Sequence, residues 1–219
     1  MNELAIEGLI AKYIRDESVV AIGTSQLAER FLKTLALKLA ERNQSIHFVP
    51  TSIRIAGMAS ELGLHLVSIE EHEIDVAIEF PDQADFQYNF LKTDSESLVR
   101  DKMICQSATD LIIILEKNRF VERLSGWMAS EITSFGWKRT LIQLEKLGPS
   151  KLKTVNEKPF VTESGNYLAL TKIDEIYSPD ELEFQAKDVP GVLETGLFVG
   201  YADRMVLYNP GLEVKSRIR

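Results

Sequence analysis

The sequence predicts a mostly parallel, Rossmann-like α/β sheet with a second, smaller α+β domain. Short apolar runs at 19–22, 46–49, 74–80 and 111–115 alternate with helical patterns, the order of a sheet whose strands are joined by crossover helices. The run at 111–115 is nearly all apolar and rich in β-branched residues, as expected of a strand covered on both faces. After about Gly126 the texture changes to scattered extended runs with less helix. These observations place the domain boundaries at 1–126 plus 200–219 for the α/β domain and 127–199 for the smaller one.

Each element has its own warrant. Leu4, Ile6, Leu9, Ile10, Tyr13 and Ile14 fall mostly on one helical face, which predicts an amphipathic helix over 2–15. The strand at 19–22 stops at Gly23-Thr24-Ser25 and leads into a helical pattern over 26–41. Such a turn aims backbone N–H groups and hydroxyls toward a helix N-terminus beyond the strand's carboxyl end, a place that suits an anion such as phosphate. Neither the dinucleotide fingerprint nor the Walker pattern is met here. The strand at 46–49 ends at Pro50-Thr51-Ser52 ahead of a helix over 53–62. Strands at 64–67 and 74–80 follow, the second running into an acidic turn and a helix over 96–108. In the second half, 130–133 reads as extended and 137–147 as helix. The runs 160–162 and 167–170 flank Glu163-Ser164-Gly165-Asn166 as a four-residue hairpin connection. A short helix over 179–186 and strands over 205–208 and 212–218, returning to the main sheet around Asn209-Pro210-Gly211, complete the chain.

Composition narrows the function. The 219 residues are 45% hydrophobic and 26% charged, an ordinary globular composition. The net charge of -8 argues against general nucleic-acid binding, which draws its affinity from Lys and Arg on phosphates. The one cysteine, Cys105, has no internal disulfide partner, and no apolar run approaches the roughly 20 residues that span a bilayer. The first residues lack the basic start and continuous apolar centre of a signal peptide. A reduced, cytoplasmic protein without a membrane or nucleic-acid partner is the expectation. His47, His65 and His72 lack metal-ligand spacing, so structural roles and no metal are expected of them. Cys105 sits on an apolar helical position and reads as buried and inert.

Packing alone leaves the segment 75–102 unexplained. It follows an apolar strand with Glu79, Asp82, Asp85, Lys92, Asp94, Glu96, Arg100 and Asp101. Ligands of open α/β sheets bind beyond the carboxyl ends of the strands, where Thr24, Thr51, Glu79 and Glu116 would lie. Carboxylates gathered around one lysine at a strand end mark a candidate polar site.

Six blocks, GTSQLAERFL, PTS, DVAIEFPDQAD, NFLKTDSESLVRDK, TESGN and GVLETGLF, stand in this order along the chain. They resemble, at closely similar spacing, the blocks GTGSTxxxFL, TS, DxxxDGADEVD, LIKGGGxALxREK, TDNGN and GVVExGLF of the ribose-5-phosphate isomerase A family. The resemblance covers nearly the whole chain. It implies isomerisation of a pentose phosphate through a cis-enediolate, without a cofactor, in a homodimer or a dimer of dimers. In the REK block it places Asp101 as the carboxylate that shuttles a proton between C1 and C2. It assigns Glu79, Asp82 and Lys92 to positioning the sugar and stabilising the enediolate, and Thr24, Ser25, Thr51, Ser52 and Arg119 to the phosphate. Asn166 and Gly165 match the TDNGN block and read as turn-formers.

The chain departs from the family pattern at charged positions while keeping their sign. Aspartate stands for glutamate at Asp101, glutamate for aspartate at Glu79, and arginine for lysine at Arg119. The KGGG block has become Lys92-Thr93-Asp94-Ser95, without the glycines that allow close backbone approach. An aspartate stem is one methylene shorter, and a displacement on the order of 1 Å costs about a hundredfold in rate. The alternative reading is therefore a catalytically impaired paralogue that binds, or slowly isomerises, another sugar phosphate. A nucleotide-binding module built on the same strand-turn-helix start is a third reading, which the glycine pattern fits poorly.

Overall fold

The computed structural model describes residues 1–217. Residue Ile218, which the sequence reading includes in the last strand, lies outside the described residues. The described chain forms two compact units, one of 1–80, 103–117 and 202–217, the other of 81–102 and 118–201.

The first unit is built on a seven-stranded sheet. Its order is Leu212–Ser216, Arg204–Tyr208, Ala108–Glu116, Ile74–Glu79, Val19–Ile22, His47–Pro50 and His65–Leu66. All neighbours are parallel except the Leu212–Ser216 edge strand, which runs antiparallel to Arg204–Tyr208. The helices Glu3–Tyr13, Gln26–Arg42 and Ile53–Glu61 bury Ile6, Leu9, Ile10, Phe31, Leu32, Leu35, Ile55 and Ala59 against Val20, Ile22, Phe48 and Ile78 of the sheet. Each such fully buried aliphatic or aromatic side chain stabilises the fold by about 1.5–3 kcal/mol. All three helices start at a side-chain cap: Asn2 accepts from the Ala5 amide (2.9 Å), Ser25 from Ala28 (2.9 Å) and Ser52 from Ile55 (3.2 Å). A cap of this kind is worth about 1 kcal/mol. In register, Ile22 lies between Pro50 and Ile78, so Gly23-Thr24, Thr51 and Glu79 come together past the carboxyl ends of three adjacent strands.

The second unit, slightly the smaller, holds a four-stranded antiparallel sheet in the order Val192–Thr195, Gly126–Ile132, Tyr167–Ile173 and Ser150–Leu152. The helices Trp137–Leu144 and Pro179–Lys187 pack on it through Leu144 and Ala186. A small three-stranded sheet joins Gln83–Ala84, Phe90–Leu91 and Leu197–Phe198.

That small sheet moves the boundaries expected from sequence. Pairing of 83–84 and 90–91 with 197–198, together with bonds from the Val121 amide to Ala84 O (2.9 Å) and the Ser125 amide to Gln83 Oε1 (2.9 Å), draws 81–102 and 118–126 into the second unit. Strands of two residues carry too little pattern to show a hydrophobic period, which is why the sequence shows none of the three in this small sheet. The strands Ser150–Leu152 and Val192–Thr195 and the pair Thr154–Val155 with Lys158–Pro159 are likewise absent from the sequence reading; elsewhere the differences are at element ends. The strand expected at 111–115 runs Ala108–Glu116, the helix expected over 96–108 runs Leu98–Ser107, and the run 160–162 keeps one bridge, Val161 to Tyr167.

Candidate active site

In the first unit the residues past the strand ends form a compact polar cluster. Thr24, Thr51 and Ser52 are all buried. Thr51 donates to the carbonyl of Ile22 (2.8 Å), and Thr24 donates to Ser52 Oγ (3.1 Å) while standing 3.5 Å from Thr51 Oγ1. Ser52 and Ser25 spend their oxygens on the helix caps described above, so two helix N-termini and their partial positive charge open at one place. Ser25 is the hydroxyl of this group that keeps contact with solvent.

Glu79 closes the strand Ile74–Glu79 and is 1% exposed. Its carboxylate lies against the backbone of Gly23. A Cβ built on Gly23 would stand 2.1 Å from Glu79 Oε2, so a side chain at 23 and the observed place of the carboxylate exclude each other. The atom that must yield is the end of a flexible side chain, which separates stability from activity. Gly23→Ala is expected to leave the thermal midpoint within a few degrees of wild type while lowering turnover by about 10²-fold as Glu79 is displaced. Calorimetry and steady-state rates on one preparation check both halves of that statement.

In the second unit the centre is an ion pair. Lys92 and Asp101 are each 1% exposed, and Lys92 Nζ stands 2.7 Å from Asp101 Oδ2. The same carboxylate oxygen accepts from Ser95 Oγ at 2.7 Å. Asp101 lies in the first turn of the helix Leu98–Ser107, with its amide donating to Ser97 O (3.0 Å). Lys92 is held through its backbone: its amide donates to Gly196 O (2.8 Å), and a Cβ on Gly196 would meet Lys92 O at 2.1 Å. That contact is one reason the block Gly191–Phe198 needs its second glycine. Asp82 Oδ2 accepts from both the amide (2.7 Å) and the hydroxyl (2.6 Å) of Thr93, and Asp82 Oδ1 is 4.0 Å from Arg119 Nη1. Asp82, Thr93, Asn118, Arg119 and Trp127 line a cavity of about 340 Å³. The arrangement supplies a buried carboxylate able to take a proton, an ammonium beside it able to meet a developing oxyanion, and an open cavity carrying a guanidinium.

The support around Asp101 comes from its neighbour in sequence. Lys102, 4% exposed, pairs with Glu183 and with Glu194 (2.8 Å), and its ammonium lies 5.3 Å from the Phe198 ring centre. Burial pushes the Glu194 carboxyl up, but the hydrogen bond and charge of Lys102, the Thr195 amide and Lys187 together hold it below its ordinary value of 4.5. A depressed carboxyl contributes stability that is complete above its unfolded value and is lost as pH falls through the folded one. Lys102→Met is expected to cost about 1–3 kcal/mol at pH 7, because it takes a buried cation from the half-buried Glu183 and Glu194. The difference from wild type should shrink as pH falls below about 4.5; urea unfolding followed from pH 7 to 3.5 measures it.

The family model for ribose 5-phosphate isomerase A (phosphoriboisomerase A) matches residues 47–211. The chain belongs to the ribose-5-phosphate isomerase A family. Among its relatives, a ribose-5-phosphate isomerase A of Synechococcus sp. is 32% identical over 210 residues, covering 93% of this chain and 91% of the relative. Ribose-5-phosphate isomerase A 2 of Oceanobacillus iheyensis is 30% identical over 203 residues, 91% of each. Among solved structures, a D-ribose-5-phosphate isomerase in complex with phospho-erythronic acid superposes with a TM-score of 0.92 at 27% identity, covering 99% of this chain and all of the other. The fold is shared too by the Plasmodium falciparum enzyme, with a TM-score of 0.91 at 22% identity over 98% of this chain and 97% of that one.

The departures from the ribose-5-phosphate isomerase A pattern now have positions. Two of the three residues standing for the glycines of KGGG turn inward and donate hydrogen bonds to site carboxylates: Thr93 to Asp82, and Ser95 to Asp101. The third, Asp94, has a side chain 71% exposed and lies 3.7 Å from Lys153 Nζ. Lys92 forms an ion pair with Asp101, a carboxylate outside the set Asp82, Asp85 and Asp94 that a purely structural lysine would suggest from sequence. Asp85 is a turn-former, accepting from the amides of Gln87 (2.8 Å) and Asn89 (3.1 Å).

Sequence reasoning passed over Glu131 and Lys102. The available signals were a charge inside the otherwise uncharged strand Gly126–Ile132 and a lysine within the apolar and acidic reach of the 191–198 block. His47, His65 and His72 do come together, with ring centres 5.3 and 5.5 Å from His47. Among the described residues no group of three His, Cys, Asp or Glu side chains is placed to hold a metal ion. Cys105 is buried. No helix of the described chain is long and apolar enough to cross a membrane.

Proposed function

We propose that this chain interconverts D-ribose 5-phosphate and D-ribulose 5-phosphate by moving one proton between C2 and C1. The observation that carries the reading is the buried contact of 2.7 Å between Lys92 Nζ and Asp101 Oδ2 in a member of this family. With the sugar ring open, Asp101 removes the C2 proton of the aldose, and the electron pair moves into a C1–C2 double bond as the C1 carbonyl becomes an enediolate oxygen. Lys92 stabilises that oxygen, and its charge acts most strongly where negative charge develops in a site shielded from water. Asp101 then returns the proton to C1 while the C2 hydroxyl proton passes to the C1 oxygen, so that the C2 oxygen becomes the ketose carbonyl and the C1 oxygen a hydroxyl. Glu79 and Asp82 orient the sugar hydroxyls. Thr24, Ser25, Thr51, Ser52 and Arg119 receive the phosphate; of these, Ser25 and Arg119 have the accessible groups, while Thr24, Thr51 and Ser52 brace the two helix N-termini.

The shorter aspartate is compatible with this role because Ser95 and Lys92 fix its carboxylate from two sides, at 2.7 Å each. A fixed base one methylene shorter works wherever the backbone sets the right distance. Phospho-erythronic acid, bound by a structural neighbour, carries a carboxylate whose two oxygens share one negative charge, as the oxygens of an enediolate do. We therefore expect it to compete with the pentose phosphate here. The same proposal includes a cytoplasmic place in pentose phosphate metabolism and a homodimer or dimer of dimers, which sedimentation resolves.

The test is purified protein with D-ribose 5-phosphate, ribulose 5-phosphate being followed directly. Turnover on the order of 1–10³ per second supports the proposal. Binding of phospho-erythronic acid with no turnover of any pentose phosphate would overturn it in favour of a non-catalytic paralogue.

A further inference from the structure

Glu131 stands on the strand Gly126–Ile132, 0% exposed, and among the described residues no Lys, Arg or His pairs with it. A buried carboxylate without a cation is costly unless hydrogen bonds fill its lone pairs. Four donors do so. Oε1 accepts from Thr162 Oγ1 (2.8 Å) and Asn166 Nδ2 (3.0 Å); Oε2 accepts from Ser97 Oγ (3.1 Å) and the Val99 amide (3.1 Å). The Val99 amide belongs to the first turn of the helix Leu98–Ser107, where Ser97 Oγ already accepts from the Arg100 amide (3.4 Å), so Glu131 adds a second acceptor at that N-terminus from the strand Gly126–Ile132.

The donors come from two segments that meet around Glu131. One is 97–99, directly ahead of Asp101, whose own amide is bonded to Ser97 O. The other is the turn 162–166, which also touches the helix start through Ser164 Oγ to Ser97 Oγ (3.0 Å), the Glu163 amide to Glu96 O (2.9 Å) and the ion pair of Arg100 with Glu163. A carboxylate offers about four lone-pair sites, whereas a glutamine offers one acceptor oxygen. Only the carboxylate satisfies all four donors as they stand.

We propose that Glu131 is a positioning residue for the reaction. It pins the first turn of the helix to the turn 162–166 and thereby sets where the Asp101 carboxylate stands relative to Lys92. The inference rests on the reading of Asp101 as the base. It also gives the TESGN block a function that its turn geometry alone does not.

The test is Glu131→Gln, which conserves volume, measured alone and combined with Asp101→Asn. The single variant is expected to lose about 10–100-fold in kcat with KM within twofold, the signature of a misplaced base. In the Asp101→Asn background it should cost nothing further, because its effect runs through Asp101. Wild-type kcat, a change confined to KM, or a loss that multiplies with that of Asp101→Asn would each overturn the proposal. If Glu131→Gln does not fold, Asn166→Ala, at a partly exposed residue, replaces it. A several-fold loss of kcat, absent in the Asp101→Asn background, is then expected, and wild-type kcat overturns the proposal. Wild-type protein without isomerase activity overturns the functional reading itself and this inference with it, whereas an active wild type with an indifferent Glu131→Gln overturns the inference alone.

Discussion

Asp101→Asn lowers kcat by about 10²–10⁴-fold and leaves a folded protein. The range is what a positioned general acid–base group contributes, and the residual rate belongs to Lys92 and the binding groups. The asparagine keeps an acceptor for Lys92 and for Ser95 in nearly the same volume, so no cavity opens, but the charge opposite the buried Lys92 is lost and the melt should fall below that of wild type. Substrate affinity should change little, because the carboxylate acts on carbon-bound hydrogen and not on the phosphate. Steady-state kinetics with D-ribose 5-phosphate, beside a circular dichroism melt, separates loss of chemistry from loss of fold.

Lys92→Met gives the second large effect, and it falls on rate and stability together. Removing the ammonium takes away the group that meets the enediolate oxygen, worth about 10²–10³-fold in kcat by analogy with a lost oxyanion donor. It also leaves Asp101, 1% exposed, as a buried carboxylate whose cation has been removed. Breaking a buried pair from one side costs about 3–5 kcal/mol. Urea unfolding of the variant should show that loss, and the double variant Lys92→Met/Asp101→Asn should recover part of it, because the orphaned charge is then gone as well. Recovery of stability without recovery of rate distinguishes the two roles of the lysine.

Much of the fold was legible because periodicity is local. Leu4, Ile6, Leu9 and Ile10 mark one helical face, Leu111 to Leu115 a strand covered on both sides, and Ser25 and Ser52 the helix starts, all within a few residues of sequence. The boundaries of the units were not legible, since they depend on two-residue strands pairing across more than a hundred positions, as Phe90–Leu91 does with Leu197–Phe198. At the site, the order of the blocks nominates Lys92 and Asp101, and nothing in the sequence shows the contact between them. Residue type alone ranked Thr93, Asp94 and Ser95 together as lost glycines. Only their side-chain directions divide them, two toward carboxylates and one toward solvent beside Lys153. Glu131 shows the same limit: a charge within a strand reads as a surface residue until its four donors, from segments 31 to 35 residues to either side, are seen to converge on it.

The central claim is that a side-chain carboxylate, Asp101, carries the hydrogen between C2 and C1. Running the isomerisation in deuterated water and following the sugar phosphates by proton NMR tests it most directly. A proton held on a carboxylate exchanges with solvent, so deuterium should enter C1 of ribulose 5-phosphate and, over repeated cycles, C2 of ribose 5-phosphate. Asp101→Asn should suppress that incorporation along with turnover. Interconversion with no solvent deuterium at either carbon, or incorporation that persists at the wild-type rate in Asp101→Asn, would contradict the account.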